Sequence, residues 1–200
     1  MNYGSIRSHF KALLNRSDIT DALADTFIDQ GIVRIQRSLR IPIMEKIYEF
    51  NVTTTIDSIV VPDDYLEAIS IYHDKHELER VPLGDMLALK DNGNSGIPRY
   101  FCRQGNKILL SPEPAKGTVS INYYSEFPEM ATDTDENSLA RVASDLIIYA
   151  ALVYASDYFL DERAQVFDQK YLYFMTELQE QANVAELSGT LQRMRPSYEL

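Results

Sequence analysis

The sequence predicts an α+β protein that is mainly an α-helical bundle, with a β-strand insertion between helical halves and a flexible C-terminal arm. Three observations lead there. Apolar residues recur at steps of three or four on both sides of the chain's middle, the spacing of a helix with one buried face. Between residues 47 and 125 the period falls to two, the spacing of a strand. Residues 188–200 contain Gly189 and Pro196 and hold no period. The expected parts are N-terminal bundle helices over 1–46, a β-rich insertion over 47–125, C-terminal bundle helices over 126–187 and the arm over 188–200.

Each element has its own warrant. A short helix is expected from about Ser5 to Leu14. Leu23, Phe27, Ile28, Ile32, Ile35 and Leu39 follow Asp18, Thr20 and Asp21, which suit a helix start, so a second helix is expected from Asp21 to Arg40. Pro42 stops it, because its ring lacks a backbone donor and disfavours helical geometry at Ile41. Tyr48, Phe50 and Val52 then alternate with Glu49, Asn51 and Thr53, the pattern of a strand with one buried face. Leu66 to Tyr72 reads as a strand, Tyr100–Gln104 and Lys107–Leu110 as a hairpin about Gly105-Asn106, and Val119, Ile121 and Tyr123 as the inner face of another strand. Pro82 to Lys90 fits a short helix, followed by a loop over 91–96. From Ser138 the helical period returns through Leu139, Val142, Leu146, Ala150 and Val153, then through Ala164, Phe167, Tyr171, Phe174, Leu178 and Ala182. Two long helices joined around Leu160-Asp161 would complete the bundle.

With 45% hydrophobic residues in 200, the chain can bury a core without covalent or metal staples. Cys102 is the only cysteine, which rules out an intramolecular disulfide and fits a reducing cytoplasm. Residues 1–10 lack the apolar core of a secretory signal. The longest apolar run, Leu146 to Ala155, is about half the roughly 20 residues needed to span a membrane, so no membrane association is expected. The net charge of −11 argues against a protein that coats nucleic acid. That charge is uneven: residues 126–187 carry −10, residues 1–47 carry +2 and the arm +1. A basic head and arm can meet a neighbour's acidic helices, although ordinary solvated helix faces give the same pattern.

Candidate chemistry is sparse. His73-Asp74-Lys75-His76 offers metal-ligand types but no third ligand, and a metal hydrolase built on His73 and His76 is the weakest alternative. Cys102 reads as a core thiol, and Ser111 and Ser125 likewise lack a base in sequence. Asp63-Asp64 follows Pro62 at a turn, and Glu77 and Glu79 read as a strand's solvent face. There is no Walker loop, dinucleotide fingerprint or zinc-binding helix, so no cofactor and no enzyme activity are expected. The basic stripe Arg34, Arg37, Arg40, with Lys46 beyond it, is the best electrostatic feature. It can reach phosphates, as in a nucleic-acid-binding module, or the acidic helices of its own or an adjacent subunit. The chain's acidity favours the protein partner. Thirteen tyrosines and no tryptophan also fit an interface-rich protein.

The order of segments resembles a family. Arg34-Ile35-Gln36-Arg37-Ser38-Leu39-Arg40-Ile41-Pro42-Ile43-Met44-Glu45 comes first, then Val61-Pro62-Asp63-Asp64-Tyr65-Leu66-Glu67 and Gly96-Ile97-Pro98-Arg99-Tyr100. Ile108-Leu109-Leu110-Ser111-Pro112-Glu113-Pro114, Ile121-Asn122-Tyr123-Tyr124 and the helix pair from Asn137-Ser138-Leu139 complete it, over about residues 20–185. This set is similar to the head-to-tail adaptor (connector) proteins of short-tailed bacteriophages.

The resemblance implies a non-enzymatic structural protein of the virion neck, assembled in the host cytoplasm. It implies a ring of copies, twelve-fold to match the portal, binding the portal on one side and tail or nozzle proteins on the other, with DNA passing through the centre without sequence-specific binding. A cyclic ring brings two different surfaces of each subunit together. Arg34, Arg37 and Arg40 against Asp157, Asp161 and Glu162 is the expected inter-subunit contact. Leu191, Arg193, Met194, Arg195 and Tyr198 of the arm are the expected portal-binding residues.

Overall fold

Asn2 opens the first helix, because its side-chain oxygen accepts the Ser5 N–H at 3.0 Å. In the computed structural model, which describes residues 1–90 and 95–187, this helix is α1, Tyr3–Leu14. It buries Tyr3, Ile6, Phe10 and Leu14, one residue per turn, and ends on Asn15 in the left-handed region. Thr20 caps α2, Asp21–Ser38, by accepting the Leu23 N–H at 3.2 Å. This helix stops two residues before the expected Arg40 because Leu39 is already extended. Ala24, Phe27, Ile28, Gly31 and Ile35 form its buried face.

The helix expected from Ser138 is two. Ala143 leaves helical geometry at φ −141° and ψ 56°, separating α4, Ser138–Val142, from α5, Ser144–Tyr158. The long α6, Ala164–Leu187, follows a corner at Leu160-Asp161. At that corner Leu160 takes φ +52° and the Asp161 N–H returns to the Ser156 carbonyl at 2.8 Å. Helix α5 is the hub: α1, α2, α4 and α6 all pack on it. Its Leu146, Ile147, Ile148, Ala150, Ala151, Leu152, Ala155 and Ser156 are buried around the whole circumference. Each leucine or isoleucine side chain fully buried there contributes about 1.5–3 kcal/mol.

The chain divides into two compact units, one from residues 1–42 and 128 onward, the other from 43–127. The second is a sandwich of two four-stranded sheets. Its strands are β1 Glu45–Val52, β2 Ser58–Val60, β3 Tyr65–His73, β4 His76–Glu77, β5 Glu79–Arg80, β6 Tyr100–Gln104, β7 Lys107–Ser111 and β8 Gly117–Ser125. One sheet runs β1-β8-β3-β4 and the other β2-β7-β6-β5, with only the β5–β6 pair parallel. Val52, Ile71, Val119, Ile121 and Tyr123 of the first sheet meet Ile59, Phe101, Ile108 and Leu110 of the second in one apolar core. The remaining helix, α3, Leu83–Lys90, places Met86 over Cys102 and Leu109 on the second sheet's other face. The continuous run Ile108-Leu109-Leu110 is therefore buried on both sides.

This sandwich corrects the expectation of a mainly helical bundle. The protein is α+β, with six helices and two sheets among the described residues. The difference comes from β2, β4 and β5, strands of two or three residues that are too short to show a period yet complete the second sheet and extend the first. Strand β1 also departs from expectation: Glu45 to Glu49 are all exposed, and burial begins only at Phe50 and Val52.

Candidate functional site

The basic stripe sits on the last turns of α2. The Arg34 guanidinium donates to Asp168 Oδ1 of α6 at 2.9 Å and lies 4.2 Å from the centre of the Tyr171 ring. Burial pushes the Tyr171 hydroxyl up, against the opposing pull of Arg34. The Arg40 side chain donates to the Gln36 and Leu39 carbonyls at 2.9 and 2.7 Å, covering the negative end of α2. The Arg40 backbone is clamped by Gln179 of α6, whose oxygen accepts its N–H at 3.1 Å and whose amide donates to its carbonyl at 2.7 Å. Arg37 faces solvent. The stripe is thus divided: two arginines bind within the chain and one is presented outward.

The acidic residues divide the same way. Asp161 accepts both a side-chain bond at 2.7 Å and the backbone N–H at 2.9 Å from Arg163, which hold its carboxyl down at about 2. The same arginine donates to the Leu13 and Leu14 carbonyls, closing the end of α1. Asp157 and Glu162 are exposed on either side of this corner. Leu160 projects beside them at 88% exposure, with Tyr158 at 63%.

The second face of α6 lies outside the apolar row that the sequence predicts. Phe167, Tyr171 and Ala182 are buried, yet Val166, Leu172, Tyr173 and Val184 are half or more exposed, and along one row of the helix Val166, Tyr173 and Val184 alternate at steps of three and four with exposed Lys170, Glu177 and Glu180. An exposed face on which apolar side chains alternate with charged ones has the mixed composition of an amphipathic contact surface rather than of an interface core. The seven-residue step from Val166 to Tyr173 was the available signal.

The remaining candidates do not converge. His73 is buried, its Nε2–H donating to the Lys116 carbonyl at 2.9 Å, while Nδ1 lies 3.7 Å from Asp74 and has no hydrogen-bond partner. His76 is exposed across the turn, and among the described residues no three His, Cys, Asp or Glu side chains form a metal-holding group. Cys102 is buried against α3. Ser111 is buried, and Ser125 donates to the Met44 carbonyl at 3.0 Å. Burial raises Asp64, but bonds from Lys46 at 2.6 Å and the Tyr123 hydroxyl at 2.9 Å outweigh it and leave the carboxyl below its ordinary value. Lys46 therefore does not extend the α2 stripe. Asp63, Glu77 and Glu79 are exposed. Leu191, Arg193, Met194, Arg195 and Tyr198 lie outside the described residues.

A family model described as SU10 adaptor protein matches residues 1–195. The chain belongs to this family. The SU10 adaptor family is one of phage head-tail connectors, as the segment order implied, and it assigns the protein a structural adaptor role in the virion neck with portal and tail partners in general. Membership in a structural family also points away from catalysis. No curated protein matches the chain. Among the described residues no helix is long and apolar enough to cross a membrane.

Proposed function

We propose that this adaptor forms a ring, twelve-fold to match the portal, which joins the portal to tail or nozzle proteins and leaves a central passage for DNA. The observation that carries the ring is the exposed second face of α6, where Val166, Tyr173 and Val184 alternate with Lys170, Glu177 and Glu180. Val166, Leu172, Tyr173 and Val184 stand on a helix whose other face is already packed on α5, so a neighbouring copy is their natural cover. Arg37 on one subunit meets Asp157 and Glu162 on the next, while Arg34, Arg40 and Asp161 keep their internal partners and shape the two surfaces. The internal pairing of Arg34 also weighs against the rival nucleic-acid-binding module, since that guanidinium is already matched to a carboxylate. The acidity of residues 126–187 would repel DNA in transit if these helices approach the channel.

Leu191, Arg193, Met194, Arg195 and Tyr198 are proposed to order against the portal, an arm with apolar and arginine anchors folding on its partner. Deleting residues 188–200 tests this. The truncated chain is expected to stay soluble with an unchanged circular dichroism spectrum and to lose portal binding. Co-purification of the truncated chain with portal at the full-length yield would refute the assignment.

A further inference from the structure

The geometry points to β1 as a docking edge for an extended strand of another protein, one that carries basic residues on either side of an apolar residue at alternate positions. Among the described residues strand β1 is the edge of its sheet and pairs only with β8. The pairing runs over all eight residues from Glu45–Tyr124 to Val52–Gly117 without a register shift. In such a ladder every second residue turns its N–H and C=O away from the partner strand. Among the described residues no backbone hydrogen bond takes up those groups. The other three sheet edges are β4, β2 and β5, of two, three and two residues, which is how folded proteins blunt an edge. Strand β1 is long and regular, and it contains no proline or glycine.

Its side chains describe the missing strand. On the outer face Ile47 is 69% exposed, between Glu45 and Glu49. On the inner face Tyr48 and Phe50 continue the apolar rows of Ile121 and Val119, yet Tyr48 is 36% exposed because no strand lies beyond it. A fifth strand with apolar residues opposite Tyr48, Phe50 and Val52 would extend the core. An apolar residue opposite Ile47 and Lys or Arg opposite Glu45 and Glu49 would match the outer face. A second copy of β1 laid antiparallel about Ile47 would instead set Glu45 against Glu49 at both ends. The charge pattern therefore favours a basic partner strand over self-pairing.

The test uses the full chain and a synthetic peptide, acetyl-VTVKVITK-amide. Laid antiparallel, it places lysines opposite Glu45 and Glu49, isoleucine opposite Ile47 and valines opposite Tyr48, Phe50 and Val52. Saturable binding is expected, with amide hydrogen exchange slowed at least about tenfold at alternate residues of 45–52. Replacing both peptide lysines by glutamate should weaken binding at least about tenfold, and the exposed-site variant Glu45→Lys/Glu49→Lys should restore it. No binding at millimolar peptide, protection elsewhere than β1, or no charge-swap rescue would each overturn the proposal. So would protection, in the chain alone, of those alternate β1 amides that point away from β8, which would mean that a second copy or the chain's own terminus occupies the edge. Because the peptide needs only the isolated chain, its failure leaves the ring reading intact.

Discussion

Replacing Gly31 with alanine should destabilise the helical unit, although the same exchange in most helix interiors stabilises. An alanine removes the backbone-entropy penalty of glycine, a gain of about 1 kcal/mol. At Gly31, however, a Cβ would lie 2.9 Å from the Ala151 backbone N and 3.1 Å from the Ala150 Cβ. Both alanines are fully buried on α5, so no flexible side chain can move aside. Separating α2 from α5 costs about 1–3 kcal/mol for an added methyl in a packed core, and the gaps it opens along Phe27, Ile28 and Ile35 place the cost at the upper end. The net expectation is a loss of about 1–2 kcal/mol. Gly84 supplies the control, since nothing lies within 4 Å of its Cβ position on α3. Gly84→Ala should therefore stabilise by about 0.5 kcal/mol. Urea unfolding followed by far-ultraviolet circular dichroism measures both. A Gly31→Ala protein as stable as the parent, or more so, would refute the close approach of α2 and α5.

Two further outcomes follow from the ion pairs. A double-mutant cycle with Arg34→Ala and Asp168→Ala should give a coupling of about 0.2–1 kcal/mol, because both partners are partly exposed. A coupling indistinguishable from zero would remove the pair as a link between α2 and α6. Asp161 ionises at about 2 in the folded chain against an ordinary 3.8, so its contribution to stability is complete above about pH 4 and is lost as pH falls toward 2. Asp161→Asn should lower stability at pH 7 and flatten the stability-against-pH curve between pH 4 and 2. An unchanged slope there would show that Arg163 does not hold this carboxyl.

What the sequence made legible depended on the length of the repeating pattern. Phe27, Ile28 and Ile35 sit on the buried face of α2, and Val119, Ile121 and Tyr123 are buried in strict alternation on β8. Gly105 adopts φ +62° at the turn between β6 and β7, where the Gly-Asn pair had marked a hairpin. Strands of two or three residues have no period to read, so β2 and β5, which build the expected β6–β7 hairpin into a second sheet, and with them the sandwich, are not legible in the sequence. The break at Ala143 carries no proline or glycine to announce it. For the site, the arginines were legible as a stripe, but their destinations were not. Asp168 lies 134 residues from Arg34, and Gln179 lies 139 from Arg40, separations that only the tertiary fold closes. Family membership was legible because turn and strand signatures recur in a fixed order across most of the chain.

The central claim is that this adaptor assembles as a ring on the portal. Native mass measurement of the chain alone, and then mixed with portal, tests it most directly. The expected result is a monomer that becomes a ring only in the presence of portal, at twelve copies per portal ring. A chain that remains monomeric beside portal, or that binds it at a copy number unrelated to the portal's own symmetry, would contradict it.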